Sequence, residues 1–289
     1  MKWVVDIARA APIRLLWLIA GWLPVRGATA LGVFFGVAFG PLHPKHRKVV
    51  GNFRIALKSA SDREVGAIAR QSWRNAGAVF AELPHVKEIA ASRVEMDVAR
   101  EVMVLVEARV PILFLAAHIA NWEILPFVIS KLCGCATCVY TPEDNHYIAR
   151  KVQSFREHPH CEFVTKTHAA SRMLRATKNR GSIAVMADIR VDTGAMLPLF
   201  GIDTSTSVTP ARVALRAGYP VVPLYVQRLP QTRFRVHAGV PIEAAAGLDE
   251  RAAAIDVTRK FNTLLEGWIL DNPRDWFAAK RRWPNTAFS

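Results

Sequence analysis

Hydrophobic and polar positions along this chain change their period near residue 100. Before that point, apolar side chains recur at helical spacing, most clearly over residues 65–80, which follow a helix cap at Ser61 and Asp62. Beyond it, unbroken apolar runs alternate with amphipathic segments, and the run at 110–117 predicts a strand that is buried on both faces. The pattern therefore predicts a mostly helical first third, followed by alternating strands and helices.

The alternating region predicts a regular order of elements. Helices are predicted at 122–131, 145–156, 168–179, 208–217 and 249–271, and strands at 136–141, 161–165, 182–187, 220–227 and 234–238. Strands separated by helices of this length are typical of right-handed crossovers and a parallel sheet. We therefore expect an α/β fold with a mostly parallel sheet flanked by helices, and functional side chains on loops beyond the carboxyl ends of strands.

The N-terminus carries two apolar stretches, residues 15–25 and 27–42, interrupted by Arg26. Neither reaches the ~20 residues that cross a bilayer comfortably. Together they predict a membrane-anchoring helical segment over residues 1–44, either a re-entrant pair or interfacial helices with Trp17 and Trp22 at headgroup depth, and a second domain over 45–289. The basic run at 45–48 favours a cytoplasmic position for that end. A buried helical hairpin of a soluble domain is the alternative.

Charge and composition narrow the class of partner. The 289 residues carry a formal net charge of +14, yet 51% of them are hydrophobic. Basic nucleic-acid-binding proteins usually contain fewer apolar residues, and no zinc-finger, RRM or helix-turn-helix pattern is found in the sequence. The combination suits a protein that meets an apolar phase and anionic groups together, such as an anionic membrane surface or an acidic carrier protein. We therefore expect no nucleic acid among its partners.

A cluster of cysteines raises the question of a metal site. Cys133, Cys135 and Cys138 form a C-x-C-x-x-C run, with histidines downstream. The sequence has no second C-x-x-C pair that could complete a four-ligand zinc site. Gly134 places the cysteine run at a turn that leads into an apolar segment. We interpret the cysteines as reduced structural thiols and expect no metal. Because neither a P-loop nor a G-x-G-x-x-G is found, we expect no nucleotide cofactor either.

The strongest candidate site follows the apolar run at 110–117. His118 stands at the carboxyl end of that predicted strand, and Glu123 comes five residues later, just after Asn121 as a helix cap. On one continuous helix the two side chains would point ~140° apart, so they can meet only if His118 lies in the turn. A histidine–carboxylate pair without an adjacent nucleophile indicates a general base acting on a substrate hydroxyl, with Glu123 fixing the imidazole tautomer. A histidine that satisfies a helix N-terminus is the alternative.

The segment HIANWE resembles the H-x-x-N-W-E form of a motif in the lipid A late acyltransferases, the lauroyl/myristoyl acyltransferase family. Four further segments are similar to that family: VYTPEDNHYIARKVQSFRE, SIAVMADIR, LPLFGIDTSTSVTPARVALRAGYPVVPLYVQR and NPRDWFAAKRRW. The resemblance implies the α/β fold of the wider glycerol-phosphate acyltransferase-like group, with residues 45–289 as the acyltransferase domain. It also implies transfer of a fatty-acyl group from acyl carrier protein to a lipid A precursor, at the cytoplasmic face of the bacterial inner membrane.

The resemblance implies roles for individual residues. His118 would deprotonate the acceptor hydroxyl with Glu123 as its partner, and Arg156 would lie near a substrate phosphate or sugar. The expected substrate-binding set comprises Asn121, Arg156, Asp188 and Arg190. The chain departs from the family at Ile189, where a glutamine is common, and at Lys280, where a histidine is common.

Two further segments bear on this activity. A basic helix face could contact the acidic carrier protein, although a solvated face is the simpler interpretation of each of its members, Arg172, Arg175, Lys178 and Arg180. Hydroxyl side chains at 204–209 precede the helix predicted at 208–217. They could bind phosphate at the helix N-terminus, but capping of the helix is favoured.

Other functions stay open at this point. The acceptor could be another glycolipid or a glycerophospholipid, but glycerol-phosphate acyltransferases usually pair the histidine with aspartate and carry a Phe-Pro-Glu-Gly-Thr-like segment that is not found here. From another class, the chain could be a non-catalytic membrane-surface protein of the same fold. The presence of both His118 and Glu123 argues against that alternative.

Overall fold

A sheet of seven strands forms the centre of the computed structural model, which describes residues 2–288 and, at residues 2–5 and 9, the backbone alone. The strands of the chain are β1 (Val94–Val98), β2 (Leu113–Ala116), β3 (Ala136–Tyr140), β4 (Cys161–Thr165), β5 (Ser182–Met186), β6 (Ala195–Leu199), β7 (Ile202–Thr206), β8 (Val221–Leu229) and β9 (Arg233–Ala238). In the sheet their order is β1-β9-β8-β2-β5-β3-β4, and neighbours are parallel except β8 and β9. The predicted α/β fold with a mostly parallel sheet is confirmed.

Helices flank this sheet and form most of the N-terminal part. They are α1 (Lys2–Trp22), α2 (Val25–Phe39), α3 (His46–Ala56), α4 (Asp62–Glu82), α5 (Val86–Ser92), α6 (Arg100–Glu107), α7 (Leu125–Cys133), α8 (His146–Arg156), α9 (Ala169–Lys178), α10 (Thr209–Arg216) and α11 (Glu250–Asp271). Helix α4 begins as the sequence predicts. The Ser61 hydroxyl accepts a hydrogen bond from the Glu64 amide, and the Glu64 carboxylate accepts one from the Ser61 amide.

The structure departs from the predicted pattern at β1. This strand lies in the region expected to be helical, and it occupies one edge of the sheet. Its apolar positions are interrupted by Glu95 and Asp97, which suit an edge strand because charged side chains discourage pairing with another chain. The hydrophobic pattern therefore does not reveal it.

The hydroxyl-rich segment forms a strand instead of a helix start. Residues 204–206 belong to β7, which pairs with β6 in a separate antiparallel hairpin. The hairpin turn holds Phe200 and Gly201 at φ values of 53° and 74°. Helix α10 begins only at Thr209, behind Val208, whose side chain makes no capping hydrogen bond. Helix capping by these hydroxyls is therefore wrong.

Strand β2 lies in the middle of the sheet, between β8 and β5. All its residues are at most 2% exposed, as the continuous apolar run predicts. In the parallel register with β5, Ala116 lies opposite Met186. The loops that leave these two strands therefore start side by side at the carboxyl edge of the sheet, which is where α/β proteins place their chemistry.

The N-terminal helix α2 packs closely along α4. Its buried face consists of the small residues Val25, Ala28, Gly32 and Gly36. A Cβ atom on Gly32 would lie 2.2 Å from the Gly77 carbonyl oxygen, and one on Gly36 would lie 2.2 Å from the Trp73 carbonyl oxygen. The segment Val25–Leu42 is also long and apolar enough to cross a membrane, judged by length and composition. One face of α2 thus packs against α4, and the opposite face is apolar.

The two tryptophans of α1 have different environments. Trp22 is 85% exposed, which is compatible with headgroup depth. Trp17 is only 2% exposed, because its Nε1 donates to the Phe80 carbonyl at 2.7 Å and its ring packs edge-on against Phe155. The prediction of headgroup depth is therefore wrong for Trp17. The division of the chain at residue 44 stays a prediction.

Candidate active site

His118 and Asp188 meet at the carboxyl edge of the sheet. Each stands two residues beyond one member of the register pair Ala116 and Met186. His118 Nδ1 lies 2.7 Å from Asp188 Oδ1, and the His118 amide donates to Asp188 Oδ2 at 3.1 Å. The parallel pairing of β2 and β5 therefore brings together two side chains that are 70 residues apart in the sequence.

The charge state of Asp188 sets the tautomer of His118. Burial opposes ionisation of the Asp188 carboxyl, but the charge of His118 and the hydrogen bonds from His118 and Trp276 outweigh it and lower the pKa of Asp188. Because an ionised carboxylate can only accept hydrogen bonds, the proton lies on Nδ1 of His118. Nε2 of the neutral ring keeps its lone pair, and the His118 side chain is 21% exposed. This nitrogen can therefore take a proton from a bound hydroxyl.

The segment that follows α11 holds this pair in place. Trp276 Nε1 donates to Asp188 Oδ2 at 3.2 Å, and the Phe277 amide donates to the His118 carbonyl at 2.8 Å. The Trp276 side chain is 2% exposed. On the other side, the Trp122 ring contacts the His118 ring edge-on, with 5.2 Å between the centroids. Apart from its place in the segment NPRDWFAAKRRW, nothing in the sequence indicates that Trp276 contacts the site. The sequence alone therefore does not predict its role.

Arg156 binds the carboxylate of Glu123. Its Nε and Nη2 donate to Oε2 and Oε1 of Glu123, each at 2.7 Å, and Trp122 Nε1 donates to Oε1 at 3.1 Å. Burial opposes ionisation of Glu123, but the charge and hydrogen bonds of Arg156 outweigh it and lower the pKa of Glu123. Glu123 is therefore a buried anion held in a two-point contact by a guanidinium group.

This arrangement corrects the expected pairing. Glu123 does not fix the tautomer of His118, because Asp188 occupies Nδ1. The physical reason is the order of strands, which places β5 beside β2, while a short 3₁₀ turn at Trp122–Ile124 turns Glu123 towards α8. Glu123 and His118 still interact through space, since the charge of His118 contributes to the lowered pKa of Glu123. Asp188, expected to bind substrate, is instead the direct partner of the histidine.

Arg156 retains one unused donor. Its Nη1 is buried and, among residues 2–288, has no hydrogen-bond partner. The rings of Tyr140 and Phe163 lie 5.7 and 6.0 Å from the centre of the guanidinium group. Since Nε and Nη2 hold Glu123, only Nη1 is left for another polar group. Arg156 can thus position Glu123 and offer one donor to a ligand.

Asn121 connects the active-site loop to a buried polar network. Its side-chain oxygen accepts from the Glu123 amide at 3.2 Å, as expected for a cap, and its Nδ2 donates to Glu82 Oε2 at 2.8 Å. Glu82 is 0% exposed and also accepts from Arg228, at 2.6 and 3.0 Å, and from the Thr29 hydroxyl at 2.8 Å. Asn121 itself is fully buried. It therefore contacts the protein's own loop and network, which differs from the expected role in substrate binding.

The same network holds a strained residue between His118 and Glu123. Ala120 has a φ of 51°, a left-handed conformation that costs roughly 1–2 kcal/mol for a residue with a Cβ atom. Its amide donates to the Asp275 carbonyl at 2.9 Å, and its carbonyl accepts from Asn75 Nδ2 at 3.2 Å. These bonds from distant segments stabilise the turn that gives His118 and Glu123 separate partners.

Arg190 lies on the loop after β5, with its Nη1 3.7 Å from Asp192 Oδ1. Another arginine, Arg282, is buried beside the hairpin and donates to the hydroxyls of Thr204 and Thr206 at 3.2 and 2.9 Å. Burial lowers the pKa of Arg282 to about 10, against the opposing effect of the Asp188 charge. The hydroxyls expected at a helix start therefore bind a buried arginine.

The cysteines are free thiols. Cys138 is buried, and burial raises the pKa of its thiol. The Cys161 thiol donates to the Pro126 carbonyl at 3.2 Å. Within residues 2–288, no group of three or more His, Cys, Asp or Glu side chains is placed to hold a metal ion.

Comparison with known proteins bears on the identity of this site. No curated protein sequence matches the chain. The family model described as bacterial lipid A biosynthesis acyltransferase matches residues 9–285, a range that includes His118, Glu123, Asp188 and the C-terminal Trp276. This range covers nearly the whole chain. The chain therefore belongs to the bacterial lipid A biosynthesis acyltransferase family.

Proposed function

We propose that this protein transfers a fatty-acyl group from the thioester of acyl carrier protein to a hydroxyl of a lipid A precursor. We place this reaction at the cytoplasmic face of the bacterial inner membrane. The observation that carries the proposal is the 2.7 Å contact between His118 and Asp188 at the carboxyl edge of the sheet, in a chain that belongs to this acyltransferase family.

His118 acts as the general base. Its Nε2 takes the proton of the acceptor hydroxyl as the oxygen attacks the thioester carbonyl, and the resulting imidazolium is stabilised by the Asp188 carboxylate. When the tetrahedral intermediate collapses, the carbon–sulfur bond breaks and the departing thiolate takes the proton back from Nε2. The products are an ester on the lipid and free acyl carrier protein, so the protein itself needs no covalent acyl intermediate.

Glu123 supports this chemistry from a distance. Its negative charge, held by Arg156, lies close enough to His118 for the two charges to interact. A fixed anion near the imidazole favours the protonated form that arises during the reaction. Arg156 Nη1 and Arg190 are the cationic groups that we assign to polar or anionic parts of the lipid substrate.

We assign docking of the acyl carrier protein to the basic face of helix α9. Arg172, Arg175 and Lys178 are exposed there, and Arg180 is exposed just beyond it, while Met173 and Ala176 anchor the opposite face in the core. An exposed basic face suits an acidic carrier protein, because complementary charge accelerates the encounter of two proteins.

The test is acyl transfer in purified membranes that contain the protein, with acyl carrier protein thioesters and a lipid A precursor. We expect His118→Ala to lose ~10²-fold or more in turnover, as removal of a positioned base does. His160→Ala is the matched control, because His160 is exposed and directly precedes β4, at the edge of the sheet opposite His118. Wild-type turnover of His118→Ala would refute the assignment of the base.

The acceptor and donor are tested in the same assay by exchange. Replacing the lipid A precursor with a glycerophospholipid, or the carrier-protein thioester with a coenzyme A thioester, should lower turnover strongly. If the glycerophospholipid is acylated faster than the lipid A precursor, the proposed acceptor is wrong although the chemistry of His118 stands.

A further inference from the structure

Helices α1 and α2 share an outward apolar surface, here called the apolar face. Its most exposed members are each at least 55% exposed: Leu15, Leu18, Trp22, Phe34, Phe39 and Leu42. On α2, Phe34 lies opposite Gly32 and Gly36, which contact α4, and Phe39 is exposed at the last residue of the helix. Large exposed apolar patches of this kind are uncommon on soluble proteins and mark contact with a membrane or a partner.

Both ends of α2 contact helix α4. At its beginning, the Thr29 hydroxyl donates to the buried Glu82 at the end of α4. At its end, a Cβ atom on Gly40 would lie 2.4 Å from the Trp73 ring, so the chain follows α4 closely here too. Helix α2 therefore lies along α4 over its whole length.

Helix α1 is attached in the same way. Near its beginning, Asn145 Nδ2 donates to the Asp6 carbonyl at 2.7 Å, and near its end His85 Nε2 donates to the Ala20 carbonyl at 2.8 Å. Between these points, Trp17 is buried against the domain. Neither helix can leave the domain without breaking contacts at both ends.

These attachments conflict with a membrane-spanning α2. The apolar segment Val25–Leu42 has 18 residues, near the lower limit for crossing the ~30 Å hydrocarbon core, so its attachments to α4 decide the question and its length does not. If α2 crossed the bilayer, α4 would have to enter it as well, together with Arg70 and Arg74, which are exposed on α4. Arginine side chains in hydrocarbon are strongly disfavoured.

We propose that α1 and α2 lie in the plane of an anionic lipid surface, with the apolar face inserted and both ends of α2 on the cytoplasmic side. Exposed basic residues border this face at Arg14 and at Lys45, Arg47 and Lys48, where they can contact anionic headgroups. The chain's net charge of +14 acts in the same direction. This inference rests on the proposed membrane location and specifies how the membrane is engaged.

The arrangement also brings the lipid surface close to the active site. Glu82 accepts from Thr29 on α2 at 2.8 Å and from Asn121 on the active-site loop at 2.8 Å. One side chain thus separates the helix at the membrane from the loop between His118 and Glu123.

The orientation is tested by labelling cysteines at the two ends of α2. Arg26→Cys and Lys45→Cys are each placed in a Cys135→Ser background, which removes the exposed native thiol, and that background alone is the control. A membrane-impermeant maleimide is applied to sealed inside-out vesicles, which expose the cytoplasmic side, and to right-side-out vesicles. We expect both positions to react in inside-out vesicles only. Reaction of the two from opposite sides, or of either only after detergent, would overturn the in-plane arrangement.

A second measurement tests the lipid contact itself. Full-length protein is sedimented with vesicles of phosphatidylcholine alone or mixed with phosphatidylglycerol. We expect the wild-type protein to bind the anionic vesicles at least tenfold more strongly than vesicles of phosphatidylcholine alone. The double variant Phe34→Ser with Phe39→Ser should bind the anionic vesicles tenfold more weakly than the wild type. The matched control is Met196→Ser with Val240→Ser, since these exposed residues lie outside the apolar face.

Protein that stays in the supernatant as a dimer would show that a second copy covers the apolar face, and would overturn the lipid contact. Both experiments read topology and binding without measuring turnover. Their failure therefore differs from a failure of the proposed acyl transfer, which would leave labelling and sedimentation unchanged.

Discussion

His118 and Asp188 are joined by a 2.7 Å contact between Nδ1 and Oδ1, while Asp188 Oδ2 accepts from the His118 amide and from Trp276. One carboxylate thereby fixes both the ring and the backbone of the histidine. Because Nδ1 is the donor in this pair, Nε2 is the only ring nitrogen left to act on a substrate.

Replacement of Asp188 by asparagine should therefore abolish most activity while keeping the shape of the site. The amide can present its NH₂ group to Nδ1, which favours the wrong tautomer and removes the charge that stabilises the imidazolium. We expect turnover to fall by ~10²-fold or more. Asp203→Asn, on β7 and with an exposed side chain, is the control and should retain activity. Comparable turnover in the two variants would show that Asp188 does not serve His118.

The pair formed by Glu123 and Arg156 should contribute to stability as well as to the charge near His118. Both side chains are nearly buried, at 8% and 11% exposure, so removing one partner leaves the other charge without compensation. We expect Glu123→Gln to lower the free energy of unfolding by about 3 kcal/mol or more, measured by chemical denaturation.

A double-mutant cycle separates this pair from its surroundings. Adding Arg156→Met to Glu123→Gln should cost less than the sum of the single changes, with a coupling of roughly 0.5–3 kcal/mol. The exposed pair of Glu162 and Arg172, 3.4 Å apart, serves as comparison and should couple by less than about 1 kcal/mol. Additive effects at Glu123 and Arg156 would contradict the two-point contact.

Acid should destabilise the protein through Asp188 and Glu123. Their ordinary pKa values are 3.8 and 4.5, and both are lowered in the fold by their cationic partners despite burial. A lowered pKa means that the unfolded chain binds protons first, so the stabilisation is complete above about pH 4.5 and is lost as the pH falls through the folded values. The pKa values of half-buried Glu143 and buried Asp275 are raised by desolvation, and these two groups act in the opposite direction.

This acid sensitivity is measured as the melting temperature between pH 7 and pH 3, in wild type and in a variant with Asp188→Asn and Glu123→Gln. Glu143 and Asp275 are present in both proteins, so their contribution cancels in the comparison. At pH 7 the variant should have a lower melting temperature than the wild type. Between pH 7 and pH 3 its melting temperature should fall by less. An equal loss in both proteins would mean that neither carboxylate has a lowered pKa in the fold.

Only part of the site can be predicted from the sequence, namely the part that depends on residues close together in the chain. His118 follows an apolar run, and a buried strand with a polar residue at its carboxyl end is visible without any partner. Asp188 also ends an apolar run, but its contact with His118 depends on β2 and β5 being neighbours. The order of strands in a sheet is set by packing of the whole domain, and spacing along the chain does not encode it.

The remaining parts of the site come from still more distant segments. Glu82 on α4 contacts Asn121 and is itself held by Arg228 on β8, and Trp276 in the C-terminal segment contacts Asp188. None of them lies in a motif whose spacing points to the histidine. Glu123 illustrates the converse, since its nearness in sequence suggests a pairing that the 3₁₀ turn and Arg156 prevent.

The close contact between α2 and α4 gives the last prediction. A Cβ atom on Gly36 would lie 2.2 Å from the Trp73 carbonyl oxygen, a backbone atom that can move only if the helices separate. We expect Gly36→Ala to lower the free energy of unfolding by roughly 1–3 kcal/mol, as overpacking does. Separation of the helices would also disturb the bond from Thr29 to Glu82, so turnover should fall with stability.

Gly66 on α4 provides the matched control, because a Cβ atom added there would meet nothing within 4 Å. Gly66→Ala should stabilise the helix by up to about 1 kcal/mol, since alanine loses less conformational freedom than glycine. Both variants are compared by chemical denaturation in the same detergent. Both substitutions replace glycine by alanine within a helix, so they change helix propensity alike. An opposite change in the free energy of unfolding is therefore due to the contact between α2 and α4. If Gly36→Ala is as stable as Gly66→Ala, α2 does not lie against α4 at this distance, and the in-plane orientation loses its main support.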